Sequence, residues 1–573
     1  MTALGKGYWQ HRCLPLLALF LLALIPRLYG AQTLGWGWDS PSSFTLINFD
    51  EGGSCRAALD GFDYSSWVGR QTIVLAEFLG NGPPANIIGN PALVKQYCHS
   101  PPHILIARSY SAVAGALTVV VLAILALQLI PQRPRVAWTA AALLALSGFH
   151  LSESHSATVD APSVFFIYLF FVLVVAAHRS RTVGSVVISL IFLVPALWTK
   201  YWVFAAFAYL AFLPHSVWAH ITRGLSPARW AVLIVATTVV FALLTNSAFQ
   251  AAPWYPLIAV FYLLVPWQKI PLIMRIFWLL VPVIAFALTR WDLFAAYTTG
   301  NTSTPFGSGY AAIGWNKWLR NLINAPVILV IGLGLPACFF IPLGVRAVLE
   351  KPEKYAVWLC LSPVLLFLLF MMFLAPVTYY RHYLPLIPLA ALLASIGFWQ
   401  SRWSQRRWVL VLFLLWPGLL AVDIEQDYHR DPRIALRQWY EQHQPERVFF
   451  SFYVSPPASY MTSHRLFSPE HAADDGAVLR QAQYLVLSEN WYDTAFANEL
   501  NGPLVNNLDR LVKTRPDYAQ FYRKALADNH QYLQLDYSFD VQNFMPELVL
   551  HTYFHGTFQT FVGDIKIWRI AGD

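Results

Sequence analysis

The chain has 573 residues, of which 57% are hydrophobic and only 12% charged, with a mean hydropathy of +0.47. A soluble domain carries about 25% charged residues, so half that share excludes an ordinary water-soluble enzyme. The formal charge of +8 does not point to nucleic acid, because the cations sit in short clusters between apolar runs, as in a multipass membrane protein.

Taken in chain order, the apolar runs predict about thirteen membrane-spanning helices. They lie near Cys13–Tyr29, Ile106–Ile130, Val136–His150, Ala161–Ala177, Thr182–Trp198, Val203–Trp218, Ala231–Ala248, Trp254–Val265, Pro271–Leu288, Ala325–Val345, Ala356–Leu374, Tyr383–Trp399 and Trp408–Val422. The first run ends in Ile25-Pro26-Arg27 rather than a small-residue cleavage site, so it stays as a span. Alternate connections carry paired cations, among them Arg133 with Arg135, Arg179 with Arg181, and Arg402 with Arg406. The other side holds Asp50, Glu51, Asp60, Glu153 and Asp160. Lys and Arg collect in cytoplasmic loops, so the acidic side is the outer one. An odd number of spans places the polar tail there as well.

Residues 30–105 form a long first outer loop rich in tryptophan, phenylalanine and tyrosine, suited to lie along the membrane interface. Cys55 and Cys98 both fall in it. The outer side is oxidising if it is periplasm, so they are either disulfide-bonded or free thiols. The loop also holds Asn48-Phe49-Asp50-Glu51. The plain reading of this stretch is a helix start, with Asn48 or Asp50 as cap and Glu51 in the first turn. Two adjacent acids exceed what a cap requires, and a carboxylate beside a bilayer is costly unless paired or used. Asp50 is therefore the candidate catalytic base, with Glu51 beside it.

The second outer loop runs from His150 to Pro162. Asp160 followed by Pro162 and an apolar run reads as a helix N-terminus; the sharper reading has Asp160 and His155 facing the same cavity as Asp50. Glu153 reads as a solvated loop residue. Lys200, between Trp198 and Trp202, is either a snorkelling interfacial lysine or a phosphate ligand. Arg381 and His382, in Tyr379-Tyr-Arg-His-Tyr-Leu-Pro385, repeat that theme; the planar fork of arginine suits phosphate. Residues 290–324, rich in Gly, Ser and Thr, read as a mobile outer loop. The tail from 424 to 573 reads as an α/β domain, with a helix opened by Asp431-Pro432, a second near Tyr518–Asn529, and β-rich runs at Val448–Tyr453, Tyr484–Leu487 and Thr557–Ile570. The expected fold is thus a multipass α-helical membrane domain over residues 1–423 with an extracytoplasmic α/β domain over 424–573.

Four motifs in this order resemble the GT-C glycosyltransferase superfamily. They are Asn48-Phe-Asp-Glu51, Ser154-His-Ser-Ala-Thr-Val-Asp160-Ala-Pro, Thr199-Lys-Tyr201 and Tyr380-Arg-His-Tyr-Leu-Pro385. The chain is most similar to the bacterial relatives of protein O-mannosyltransferases, which include the lipid A aminoarabinose transferases. The resemblance implies a GT-C fold in a bacterial inner membrane, with the site and the tail periplasmic. It implies a polyprenyl-phosphate sugar donor, a glycan, lipid or protein acceptor, membrane lipids around the chain and no nucleic acid. It implies inversion at the anomeric carbon and no cofactor, with a divalent metal left open. Carried onto this chain, Asp50, Glu51 and Asp160 are catalytic, Lys200, Arg381 and His382 hold the donor phosphate, and His155 and Tyr380 contact substrate. Phe49 stands where the family carries proline, which leaves the subgroup and the acceptor open. The rival reading is a transporter or flippase of a lipid-linked saccharide, whose ionisable residues would lie near the midplane on broken helices.

Overall fold

The computed structural model describes residues 4–34, 47–48, 50–62, 64–180, 315–350, 380–451, 478–492, 516–555 and 563–571. It also describes residues 188, 191–192, 195–196, 198–200, 364, 367–368, 371, 454 and 465–467. The expected spans between Val203 and Leu288 lie outside these residues, as do most of Thr182–Trp198, of Ala356–Leu374 and of the 290–324 loop.

The chain is a multipass membrane protein. Among the described residues, Leu14–Thr33, Pro101–Leu129 and the run Arg407–His443 are long and apolar enough to cross a bilayer. The membrane part comprises α1 (Leu4–Thr33), α5 (Pro101–Leu129), α6 (Pro134–Ala145), α8 (Asp160–Ser180), α9 (Trp315–Leu333), α10 (Leu335–Leu349), α11 (Leu386–Gln400) and α12 (Arg407–His429). Helix α11 is buried almost along its whole length, so it is the centre of the bundle. A Cβ on Gly344 of α10 would lie 1.9 Å from the Leu393 carbonyl oxygen, and one on Gly397 would lie 2.0 Å from that of Phe340. The two backbones touch there, the close approach that small residues allow between membrane helices.

Two expected spans are interrupted. The Val136–His150 run stops at Ala145, and Ser147 starts the short helix α7 (Gly148–Glu153), its hydroxyl accepting the His150 N–H at 3.3 Å. Ser is a strong N-cap, and it outcompetes continuation of α6. The buried Arg27 guanidinium of α1 takes the freed carbonyls of Leu144 and Ala145 at 3.4 and 3.5 Å. The Ala325–Val345 run breaks between α9 and α10 at a bend of 118°. Gly334 at the break has φ 77°, which a side chain disfavours, and Pro336 follows at the start of α10.

The first loop folds into α2 (Gly53–Leu59), α3 (Ser66–Phe78) and α4 (Pro91–Cys98). Cys55 and Cys98 are disulfide-bonded, with Cα atoms 5.6 Å apart, and pack with Ile73, Ile87 and Val94 in a small core of their own. Neither Asn48 nor Asp50 caps α2: Gly52 occupies the N-cap position with no side-chain hydrogen bond.

In the tail, Asp431 caps α13 (Pro432–His443), its carboxylate accepting the Arg433 N–H at 2.8 Å. The sheet order is β2-β1-β3-β5-β4. Strands β1 (Val448–Phe450), β2 (Arg465–Leu466) and β3 (Tyr484–Ser488) pair in parallel, and β5 (Ile565–Ile570) lies antiparallel between β3 and β4 (Leu533–Phe539). Strand β4 is absent from the sequence expectation, although Leu533-Gln-Leu-Asp-Tyr-Ser-Phe539 alternates apolar and polar residues as a half-buried strand does. Helix α14 (Pro516–Leu526) covers one face.

The tail does not stand apart from the membrane helices. Helix α15 (Pro546–His555) leaves the sheet, and Met545 and Leu548 join the main core. Asp423 of α12 accepts the backbone N–H groups of Phe544 and Met545 at 2.9 and 2.6 Å. Glu547 reaches the bend and accepts from the Leu335 N–H at 3.0 Å and the Trp416 indole at 2.6 Å. A boundary at residue 423 therefore cuts through a buried contact.

Replacing Cys55 and Cys98 by alanine lowers stability by about 2–4 kcal/mol, since the bridge closes a long loop. Thermal unfolding with and without reductant, combined with limited proteolysis of the 47–98 segment, measures this.

Candidate active site

The end of α1, the start of α5, helix α7, the start of α8 and the turn before α11 converge at one end of the bundle. Three acid–base pairs lie there, each joining segments far apart in sequence.

The deepest is Glu51 with Arg108, both completely buried. Arg108 donates from Nε to Oε1 and from Nη2 to Oε2, each at 2.7 Å. The Ala157 N–H reaches Oε1 at 2.8 Å, the Ile47 N–H reaches Oε2 at 2.9 Å, and Arg108 Nη1 donates to the Leu34 carbonyl at 2.6 Å. Each carboxylate oxygen of Glu51 thus has two donors. This group ties the first loop, α1, α5 and the second loop together and is closed to substrate.

Asp50 turns the other way. Asn48 Oδ1 accepts the Asp50 N–H at 3.0 Å, and the Asp50 carbonyl accepts the Gly53 N–H at 2.9 Å, fixing a tight turn. The Asp50 side chain stays 33% exposed and is hydrogen-bonded to Arg381 Nη2. Arg381 Nη1 also donates to Asn48 Oδ1 at 3.2 Å. Arg381 lies on the 3₁₀ turn Tyr380–Tyr383. Burial pulls its proton affinity down, but Asp50, Asp160, Tyr64 and Glu153 outweigh this and hold it well above the ordinary arginine value.

Asp160, at the first residue of α8, is fully buried, and Lys200 Nζ lies 2.9 Å from its Oδ1. The Lys200 N–H donates to Ser163 Oγ at 3.0 Å, so the backbone as well as the ammonium is anchored to α8. Burial lowers the Lys200 pKa against the pull of Asp160, and Arg381 lowers it further.

Glu153 is the residue that the sequence reading misplaced. Instead of a solvated loop acid, its Oε2 is buried with no hydrogen-bond partner. Burial and then Asp160 push its carboxyl up to about 7, against Arg381 and Lys200. Tyr64 was legible only as one aromatic of the loop. Its hydroxyl is also buried without a partner, and burial, Asp50 and Asp160 raise its pKa. No local pattern marks either residue. Arg108 did carry a signal, as the lone charged residue of Pro101–Leu129, since a cation in an apolar span needs a partner elsewhere.

Two other expected site residues, His155 and Tyr380, make their contacts elsewhere. His155 does not face Asp50: its ring packs against Gly30, and its Nδ1 lies 3.3 Å from Glu425 Oε2 on α12. Burial, then Arg27, lowers its pKa to about 3, so it is neutral. The Tyr380 hydroxyl meets His551 Nε2 of α15 at 2.5 Å and so holds the tail. His382 is half-buried beside Arg381 on the same turn. Among the described residues no three His, Cys, Asp or Glu side chains group as a metal site. A recess of about 700 Å³ lined by Arg133, Arg135, Glu350 and Trp399 opens at the other end of the bundle.

A model of the dolichyl-phosphate-mannose-protein mannosyltransferase family matches residues 60–268, less than half of the chain. The matched region includes Tyr64, Arg108, Glu153, Asp160 and Lys200, and it bears out the resemblance that the motifs carry. Among solved structures, the chain is similar to the archaeal oligosaccharyltransferase AglB from Archaeoglobus fulgidus in complex with an inhibitory peptide and a dolichol-phosphate. Identity is 12%, the TM-score 0.48, and the alignment covers 99% of this chain and 89% of that one. It is also similar to the Archaeoglobus fulgidus oligosaccharyltransferase in complex with Zn and sulfate, at 11% identity and TM-score 0.47, covering 97% and 88%. No curated protein matches the chain.

Arg108→Met strands Glu51 as an unpaired buried charge and destabilises the protein by about 3–5 kcal/mol. The double variant Glu51→Leu/Arg108→Met recovers part of that loss. Thermal unfolding in detergent, run on both, shows the difference.

Proposed function

We propose that the chain is an inverting glycosyltransferase that moves a sugar from a polyprenyl-phosphate donor to a hydroxyl acceptor on the periplasmic face of a bacterial inner membrane. The matched family is described by a dolichyl-phosphate-linked mannose donor and a protein acceptor, which favours a mannose-like sugar. The observation that carries the reading is the juxtaposition of Arg381–Asp50 with Lys200–Asp160 at one end of the helices.

A lipid-linked donor places its phosphate at the level of the helix ends and its tail among the helices. Breaking the bond between sugar and phosphate adds negative charge to the leaving phosphate. Arg381 and Lys200 neutralise that charge, and such preorganised groups are often the largest catalytic term. Arg381 gives a bidentate fork, Lys200 a point charge, and His382 a further polar group on the same turn. Asp50, the more exposed carboxylate, accepts the proton of the attacking hydroxyl. Attack from the face opposite the phosphate inverts the anomeric centre. Asp160 orients Lys200, while Glu51, His155 and Tyr380 position the segments that carry the site. The tail meets the same end where His551 holds Tyr380, the acceptor arrives on that side, and no cofactor enters this scheme.

A transporter or flippase fits less well. The acid–base pairs gather at one end of the bundle, and the helix break at Gly334 is occupied by Glu547 of the tail rather than opening a polar path.

The test is transfer from a synthetic polyprenyl-phosphate mannose in vesicles containing the full chain. Asp50→Asn lowers kcat by roughly 10²–10⁴-fold, the range of a lost general base, with unchanged insertion. Arg381→Ala and Lys200→Ala raise the KM for the donor. Undiminished transfer by Asp50→Asn removes Asp50 from the mechanism.

A further inference from the structure

Among the described carboxylates at the site end of the bundle, Glu425 lies beside His155, and three have an oxygen engaged by a cation: Glu51 by Arg108, Asp50 by Arg381 and Asp160 by Lys200. A proton left on any of these would weaken the ion pair that shapes the site. Glu153 differs. It is the last residue of α7, and its Oε2 is buried with no hydrogen-bond partner.

We infer that Glu153 is where the acceptor's proton comes to rest, receiving it from Asp50 during sugar transfer. This rests on the transferase reading above.

The surroundings of Glu153 suit that task. Its carboxyl feels the charges of Asp160 on α8, Lys200 in the 198–200 segment and Arg381 on the turn before α11, and its own charge acts on Tyr64 of the first loop and Tyr428 of α12. Burial and Asp160 favour its protonated form, while Lys200 and Arg381 oppose this. The balance, near 7, lets the group take and release a proton at neutral pH, as efficient proton transfer requires. The unpartnered Tyr64 hydroxyl, which feels both Asp50 and Glu153, supplies an O–H to pass the proton between them.

The step balances. The acceptor O–H bond breaks as its oxygen bonds to the anomeric carbon. The bond from that carbon to the phosphate oxygen breaks, and its electron pair stays on the phosphate. The proton passes to Asp50, then through the Tyr64 hydroxyl to Glu153, which releases it to water once product has left. Arg381 is thereby free to keep Asp50 charged and the phosphate bound.

Glu153→Gln and Glu153→Asp in the full chain, reconstituted with the polyprenyl-phosphate mannose donor, test this. In the parent, kcat rises as Glu153 loses its proton, with a midpoint near pH 7. In Glu153→Gln that limb disappears and kcat falls about 100-fold, the lower end for positioned proton transfer, with donor KM and unfolding temperature unchanged. Glu153→Asp keeps the acid and restores the limb. An infrared carboxyl band that titrates near neutral pH is present in the parent and absent from Glu153→Gln.

A parental pH profile in Glu153→Gln, or persistence of the band, overturns the role of Glu153. If Glu153→Gln keeps the parental profile while Asp50→Asn abolishes transfer in the same assay, the transferase reading stands and only the role of Glu153 falls. A parent that transfers sugar from no lipid-linked donor overturns both.

Discussion

The buried pair Glu51–Arg108 is the constraint on which the site depends. Two charges removed from water are costly, and their attraction repays this only when the remaining hydrogen-bonding capacity is also filled. Here the Ile47 and Ala157 amides and the Leu34 carbonyl complete the set. The pair thereby joins the end of α1, α5 and the first and second loops at one point. The turn at Asn48–Gly53 has its own hydrogen bonds and the Arg381 contacts, and the buried pair ties that turn to α5 and the second loop.

That anchor explains how neighbouring acids acquire opposite tasks. In a tight turn, successive side chains leave the backbone in different directions. Glu51 enters the closed cage, and Asp50 is directed toward Arg381 and partial exposure. Specificity of position comes from the buried partner, and availability for chemistry comes from the exposed one. Asp160 and Lys200 repeat the arrangement on a second scaffold, with the carboxylate buried and the cation partly open.

The tail acts on the same assembly through the bend at Gly334 and the turn at Tyr380. Glu547 supplies an acceptor for the Leu335 N–H, one of the amides that a new helix start leaves without an intrahelical partner, and so stabilises the break between α9 and α10. His551 holds Tyr380, the neighbour of Arg381 in sequence. Movement of α15 would therefore be felt directly at the Tyr380–Tyr383 turn, which couples the tail to the site by contact.

Local composition determined much of this protein. Apolar runs marked α1, α5, α8, α11 and α12, because a helix buried in lipid or protein must be hydrophobic along its length. Asp431-Pro432 marked the start of α13, and the placement of cations and acids marked the two ends of the bundle. Only the tertiary structure decided which acid is locked and which is open. Glu51 is selected by an arginine 57 residues away and an amide 106 residues away, contacts that no local pattern encodes. The same holds for Glu153, which reads as a polar loop residue until α8, α12 and the Tyr380 turn close around it. It holds too for the break at Gly334, where glycine permits the bend and a distant glutamate satisfies it. Charge type is written in the residue, but burial and partnership arise only when distant segments pack.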